Sequence, residues 1–411
     1  MLSTPVRAAM EKVPRHLFVP VRSARAAYEP HPIVVAKDPC GVVCSTTPPG
    51  VQAQLAELAA IEPGQRILLA GAAPGITAAV LDTLAGPRGQ VVAVERDEEL
   101  AGRTRLLLAA AGHSRVRVLY ADATGQLPFG ESEFDRIVAA GSLPGIPPAW
   151  WGLLRPGGRL AMPLRWHGHT RLIGLTHEGS RMTADVWLPG DAPPLAWPSA
   201  PNGGADQQAR ASTDGEVLLY LAPEQLAEAA AVQGAVAAWE DPLWSGVTVP
   251  VGQPLDDLAI FLAADGAAVG RLRATYDHRR PVPATGRSSP ALVDGRRLAY
   301  LTRRLHHDGR LGVPCWELGA VGHGPGGSEL ARDLLSLAAS WARTPGHRPS
   351  LHLYPDRIPD RIPGDGTAVS LTASGLLITP HRTATPPGPG FEPTPPLSAH
   401  HIENQEPRKQ S

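Results

Sequence analysis

Glu95 stands where a chain of this pattern can hold a cofactor. It ends an apolar run (residues 91–94) that follows a small-residue loop, Gly71-Ala72-Ala73-Pro74-Gly75, and a helix-forming segment (76–84). A first apolar run (67–70) leads into the loop. Strand, tight turn, helix, strand, acid is the pattern of a nucleotide-binding βαβ unit. Small side chains let a ligand approach the backbone, and an acid closing the second strand can accept hydrogen bonds from ribose hydroxyls. The loop has two glycines and no GxGxxG, so a buried crossover without a ligand is the other reading. Asp122 follows a further strand (116–120) and suits a helix N-cap. Thr47 and Ser45, in Cys44-Ser45-Thr46-Thr47-Pro48-Pro49, carry hydroxyls that can satisfy their own loop.

The elements that must position these residues are legible from periodicity. Apolar stripes predict helices over 51–61 and 98–111, the second with Asp97 as N-cap and Gly112 as stop. Strands are expected at 136–139, 160–163 and 171–175, with a short helix at 147–154. Alternating strands and helices imply an α/β, doubly wound, Rossmann-like sheet over residues 1–187. A Pro/Gly-rich break at 188–215 reads as a linker, and residues 216–383 as a smaller α+β domain. There, strands are expected at 216–221, 258–262, 298–302, 351–354 and 375–379. An amphipathic helix at 328–341 carries Leu330, Leu334, Leu337, Ala338 and Trp341 on one face. Residues 28–49 read as irregular, and the proline-rich, polar stretch 384–411 as disordered.

Composition narrows the function. A formal net charge of −1 gives no reason to expect a nucleic-acid partner or an anionic membrane surface. The N-terminus lacks the apolar core of a signal peptide, and no apolar window is long enough to span a membrane. Three cysteines, Cys40, Cys44 and Cys315, fit neither a zinc spacing nor a disulfide framework, so a cytoplasmic setting is expected. His167 and His169 lack a neighbouring carboxylate or thiol partner, so no metal site is expected. Trp150, Trp151 and Trp166 read as core or groove lining, and Cys44 as packing.

The segments Val13-Pro14-Arg15-His16-Leu17-Phe18-Val19-Pro20, Thr47-Pro48-Pro49, Pro63-Gly64-Gln65-Arg66-Ile67-Leu68, Val94-Glu95-Arg96, Phe134-Asp135-Arg136-Ile137 and Pro156-Gly157-Gly158-Arg159-Leu160 resemble protein-L-isoaspartate O-methyltransferases. The second region, through residues 255–264, 298–302, 317–319 and Gly322-His323-Gly324-Pro325, resembles a branch of that family. That branch has an added C-terminal domain and occurs in biosynthetic clusters for ribosomal peptides such as lanthipeptides and graspetides. The resemblance implies S-adenosylmethionine as methyl donor. Gly71, Ala73 and Gly75 would then lie at its methionine portion, Glu95 at the ribose and Asp122 at the adenine amine. Leu69 stands where the family carries an acid and Ala73 where it carries a glycine. Thr47, with Ser45 as alternative, falls at the family's acceptor-site serine. The implied reaction is methylation of an Asp side-chain carboxylate in a precursor peptide already cyclised, leading to aspartimide or isoaspartate. A repair enzyme acting on isoaspartyl residues and a degenerate, peptide-binding scaffold are the alternatives.

Overall fold

The computed structural model describes residues 2–379 except 39–40, 167–168, 191, 197–206, 213–214, 222–229, 238–239, 252–254, 256–257, 265–268, 275–287, 308–313, 344–349, 356–366 and 372–373. The tail expected to be disordered lies outside these residues, as do Cys40 and His167. Helix α1 (Thr4–Lys12) starts at Ser3, whose hydroxyl accepts from Val6 N. Two single 3-10 turns follow, Arg15–Leu17 and Arg25–Tyr28. The stretch expected to be irregular then forms an antiparallel hairpin, β1 (Val34–Asp38) and β2 (Gly41–Ser45).

The alternating part runs α2 (Pro49–Ala59), β3 (Arg66–Ala70), α3 (Ile76–Ala85), β4 (Gln90–Glu95), α4 (Glu98–Ala110), β5 (Arg117–Tyr120), β6 (Phe134–Ala139), α5 (Pro148–Leu153), β7 (Leu154–Trp166), β8 (His169–His177) and β9 (Met182–Pro189). Strands β3 to β7 pair in parallel in the order β7-β6-β3-β4-β5, and β8 and β9 extend the β7 side in antiparallel fashion. The chain steps from β3 outward to β4 and β5, then returns to β6 on the other side. That reversal puts a topological switch point between the ends of β3 and β6, where open α/β sheets hold ligands. Alternate residues of the central strands serve two cores. Ile67, Leu69, Val91 and Ala93 pack with α2, α3 and α4, while Leu68, Ala70, Val92 and Val94 face the opposite side. Apolar runs without polar alternation are what strands covered on both faces require.

The second region builds a seven-stranded antiparallel sheet from β10 (Gln207–Arg210), β11 (Val217–Leu221), β12 (Leu243–Pro250), β13 (Val269–Ala274), β14 (Ser288–Asp294), β15 (Arg297–His307) and β16 (Pro314–His323), in the order β10-β11-β13-β14-β15-β16-β12. Residues 258–262, expected as a strand, belong to helix α6 (Leu258–Ala264). Leu255, Leu258, Ala259 and Leu262 recur at helical spacing and all are buried, so the period of 3.6 wins over the apolar run. Helix α7 (Gly327–Arg343) buries Leu330, Leu334, Ala338 and Trp341, as its stripe predicts.

Two expectations about domain boundaries are corrected. The last strands, β17 (Ser350–Tyr354), β18 (Thr367–Leu371) and β19 (Ser374–Thr379), do not complete the second sheet. They return to the first one, where β17 pairs with β9, and the full order becomes β18-β19-β17-β9-β8-β7-β6-β3-β4-β5. The 188–215 stretch is also more than a linker. Its residues 192–195 bond to the rim of the first sheet, with Ser142 N donating to Pro193 O and Leu195 N donating to Ser142 O. Helix α7 packs on β12, β15 and β16 of the second sheet, and a single apolar cluster runs from Leu68 and Trp150 through Leu334 to Leu318, so the two regions share one core. No helix among the described residues is long and apolar enough to cross a membrane.

Candidate active site

The ends of β3, β4 and β6 converge at the switch point. Gly71 N and Ala72 N donate to Val94 O at 3.0 and 3.1 Å, Ala121 N to Glu95 O at 2.9 Å, and Ala140 N to Ala70 O at 2.9 Å. The chain therefore turns off each strand at a fixed height, leaving a crevice floored by the loop 71–75. Gly71 has φ of +86°, a left-handed backbone that favours glycine. A Cβ at Gly71 would meet Leu195 Cδ1 at 3.0 Å and Ala140 Cβ at 3.5 Å, so the Leu195 side chain packs against the bare face of this glycine. Gly75 serves the core instead, because a Cβ there would press on Leu108 and Phe18 at 3.2 Å. Its missing side chain lets the loop sink onto α4 and does not open room for a ligand. Leu69 is fully buried among the α2–α4 helices and does not obstruct the crevice.

Glu95 ends β4 nearly buried, 9 % exposed. Its Oε2 accepts from Ala73 N at 3.0 Å, while Oε1 accepts from Arg96 N at 3.0 Å and Asp97 N at 3.3 Å. An ionised carboxylate has about four lone-pair sites, so acceptor capacity remains for a hydroxyl. The bond to Ala73 means that the acid also shapes the loop. Asp122 Oδ1 accepts from Thr124 N at 2.9 Å and Thr124 Oγ1 at 2.6 Å, a local turn, and its Oδ2 has no partner among the described residues. No helix follows Asp122, so it closes a turn and is not a helix N-cap. Trp150 supports the same turn from below, its indole donating to Ala123 O at 2.7 Å.

The segment after β2, the roof loop, reaches the end of β6 at Ala140. Cys44 lies close enough to Glu95 and Asp97 for their charges to matter. Burial first, then those carboxylates, push its thiol up to about 11, so it stays protonated and is no nucleophile. Three residues on, Thr47 Oγ1 donates to Ala140 O at 2.7 Å across the mouth of the switch point. Ser45 is held in the hairpin opposite Val34, so Thr47 is the hydroxyl that reaches the rim of the crevice. The loop is pinned from behind by Arg15, 3 % exposed, which donates to Ala27 O, Gln52 Oε1, Thr46 Oγ1 and Thr47 O at 2.7–3.0 Å. Arg15, Gln52 and Leu195 went unremarked in the sequence as site residues. The available signal for Arg15 was a charge inside the mostly apolar Val13–Val19 stretch; Leu195 had none, lying in a proline-rich break.

Other candidates fall away from the crevice. His177 bonds to Leu154 O and Gly179 O, and His169 Nε2 faces Gly270 O of the second sheet at 3.4 Å. Trp151 packs edge-on against His177, and Trp150 is core. No group of three or more metal-ligating side chains exists among the described residues.

A doubly wound sheet with a glycine-bearing first loop, an acid closing the second strand and a second acid after the third is a Rossmann-like methyltransferase domain. The comparisons carry this further. Residues 1–185 match the family model for protein-L-isoaspartate(D-aspartate) O-methyltransferase. A protein-L-isoaspartate O-methyltransferase of Methanopyrus kandleri is 37 % identical over 187 residues, covering 45 % of this chain and 74 % of that protein. Protein-L-isoaspartate O-methyltransferase 1 of Archaeoglobus fulgidus is 37 % identical over 164 residues, 40 % of this chain and 73 % of its own length. A solved protein-L-isoaspartate O-methyltransferase aligns with 85 % of this chain and 92 % of its own at 16 % identity and a TM-score of 0.46. Another, from Plasmodium falciparum, solved in complex with S-adenosyl-L-homocysteine, aligns with 47 % of this chain and 90 % of its own at 16 % identity and a TM-score of 0.40. The chain belongs to the protein-L-isoaspartate O-methyltransferase family. That family is S-adenosylmethionine-dependent, and the residues here fit such a group: a left-handed glycine bare of side chain, and two carboxylates with acceptor capacity left at successive strand ends.

Proposed function

We propose that this chain is a carboxyl O-methyltransferase that esterifies an Asp side-chain carboxylate in a ribosomally made, modified peptide. The ester then closes to an aspartimide, which persists or is hydrolysed to isoaspartate. S-adenosylmethionine, when bound, supplies an electrophilic methyl group. The acceptor needs no general base, because a carboxylate with pKa of about 3.9 is ionised at neutral pH. The chain's part is alignment and exclusion of water. Glu95 and Asp122 offer acceptors for the nucleoside end, Ala140 and Leu195 border Gly71 at the reacting end, and Thr47 offers a hydroxyl to the incoming carboxylate. The observation that carries this reading is Thr47 Oγ1 at 2.7 Å from Ala140 O, directly beside Gly71. The second sheet, joined to the first through the shared core, supplies added surface for a peptide larger than one residue. The closing step belongs to the peptide: a backbone nitrogen attacks the ester carbonyl and methanol leaves.

Repair of isoaspartyl residues is the second reading, favoured by the names of the relatives. One experiment separates the two. The full chain is incubated with S-adenosylmethionine and either an isoaspartyl peptide or its Asp counterpart in cyclised form, and products are weighed by mass spectrometry. A gain of one methyl, or a net loss of water, on the Asp peptide supports the proposal. Methylation confined to the isoaspartyl peptide supports repair, and no methylation of either, with no binding of S-adenosylhomocysteine, leaves a scaffold.

A further inference from the structure

We propose that Arg15 is a positioning residue for methyl acceptance, holding Thr47 in place from the side of the loop opposite the crevice. The inference rests on the assignment of Thr47 to the acceptor site. Four segments meet at this one guanidinium: its own 3-10 turn, the second 3-10 turn through Ala27 O (2.7 Å), α2 through Gln52 Oε1 (3.0 Å), and the roof loop through Thr46 Oγ1 (2.9 Å) and Thr47 O (2.8 Å). Every partner is neutral, and no carboxylate pairs with Arg15 among the described residues. A buried cation without a counter-charge is an expensive way to fill space, and an apolar side chain would pack there more favourably. Burial indeed pushes the guanidinium down to about 10. What only arginine supplies is a planar fork whose N–H groups reach several acceptors in fixed directions.

The geometry of Thr47 explains why such a fork matters. Its hydroxyl has one hydrogen, already donated to Ala140 O. To donate to a carboxylate it must turn away from Ala140 while the threonine itself stays put. Arg15 holds the Thr47 carbonyl and, through Thr46, the residue before it. The exchange then needs only rotation about the Cβ–Oγ1 bond. Thr46 extends the same hold, its hydroxyl also accepting from Ile33 N at 2.9 Å at the base of the hairpin. Arg15 also borders a pocket of about 340 Å³, together with Arg7, Met10, Glu11, Tyr28 and Gln52. Its four hydrogen bonds set the direction of the guanidinium.

The test uses the full chain with Arg15→Lys and Thr46→Val. Thr46→Val keeps side-chain shape, removes one acceptor of the fork and touches no crevice residue, so it serves if Arg15→Lys folds poorly. Methyl transfer is followed on an isoaspartyl peptide and its Asp counterpart, S-adenosylhomocysteine affinity by calorimetry, and stability by melting. The expected result is a fall in kcat of at least tenfold for Arg15→Lys and severalfold for Thr46→Val. KM should change less than threefold and cofactor-product affinity less than twofold. Unaltered kcat in both variants, with an active wild type, overturns this inference alone. A parallel loss of kcat, affinity and melting temperature assigns Arg15 to the fold and overturns it too. A wild type that methylates neither peptide overturns the functional reading, and this inference with it.

Discussion

Glu95 shows how one side chain can be legible in the sequence and still be half understood. Its place at the end of the second strand is the position from which an acid can accept from ribose hydroxyls, and its carboxylate lies beside the loop 71–75. The bond to Ala73 N, however, makes it a strut of the loop as well. Ala73 replaces a glycine without obstructing that bond, because the acid uses only its backbone N–H. Glu95→Ala should therefore weaken S-adenosylhomocysteine binding at least tenfold by calorimetry, since hydrogen bonds to charged groups are worth about 1.5–3 kcal/mol each. Wild-type affinity would show that the ribose contact lies elsewhere. Thr47→Ala should lower kcat by one to two orders of magnitude with affinity for S-adenosylhomocysteine intact, and Thr47→Ser should restore most of the rate. A Thr47→Ala enzyme with wild-type turnover would move the acceptor site. Glu95 stands out by its place after the second strand, whereas Thr47 is singled out only by the family resemblance. Arg15 does not stand out, because its role depends on Ala27, Thr46 and Gln52, which only the folded chain brings together.

At the level of elements, local rules held where one physical signal dominated. Helix α4 begins where Asp97 can cap it, with Oδ1 accepting from Leu100 N at 2.9 Å, and ends before Gly112 at φ of +84°. Asp97→Ala should cost about 1 kcal/mol in chemical denaturation; no change would mean that the cap is replaced by water. The hairpin β1–β2 was legible in part: Asp38-Pro39-Cys40-Gly41 carries a type I turn signature, but the flanking residues alternate too weakly to mark strands by themselves. In β16 a different balance appears. His323 is 2 % exposed and stacks on Tyr300 with ring centroids 5.7 Å apart. Neither ring nitrogen nor the Tyr300 hydroxyl has a partner among the described residues. Burial holds the imidazole below its ordinary range, against a smaller opposing pull from Glu240, and pushes the phenol well above its own. The unfolded chain, with a His pKa of about 6.5, then binds more protons than the folded one in acid. This contribution to stability is complete above that value and is lost as pH falls from it toward the folded-state value, at up to about 1.4 kcal/mol per pH unit. His323→Phe keeps a flat ring for Tyr300 and should flatten the decline in melting temperature between pH 7 and 5. An unchanged profile would assign the acid sensitivity to other groups, such as His352, which burial also lowers.

For the molecule as a whole, the linear division of the chain into two domains is where sequence reasoning stops. A proline-rich break looks like a boundary because composition is local, but sheet pairing is not. Strands β17–β19 cross back to β9, and α7 gives its apolar stripe to a cluster that contains Leu68 and Trp150 of the first sheet as well as Leu301 and Leu318 of the second. Neither region can be removed without opening the other. Ending the chain at residue 215 would remove the second-region part of the cluster that holds Leu160, Ile173 and Leu175 and leave β9 as a bare edge beside exposed apolar residues, a combination that favours aggregation. The truncated protein should be insoluble or molten, with near-ultraviolet circular dichroism lost. The intact chain should melt in one calorimetric transition, its van't Hoff and calorimetric enthalpies agreeing. Two resolved transitions, or a soluble, S-adenosylhomocysteine-binding fragment ending at 215, would mean that the shared core contributes little. In one cooperative unit, a peptide bound on the second sheet and a cofactor bound at the switch point would stabilise the same folded state. Each should then raise the melting temperature of the entire molecule and not of one half.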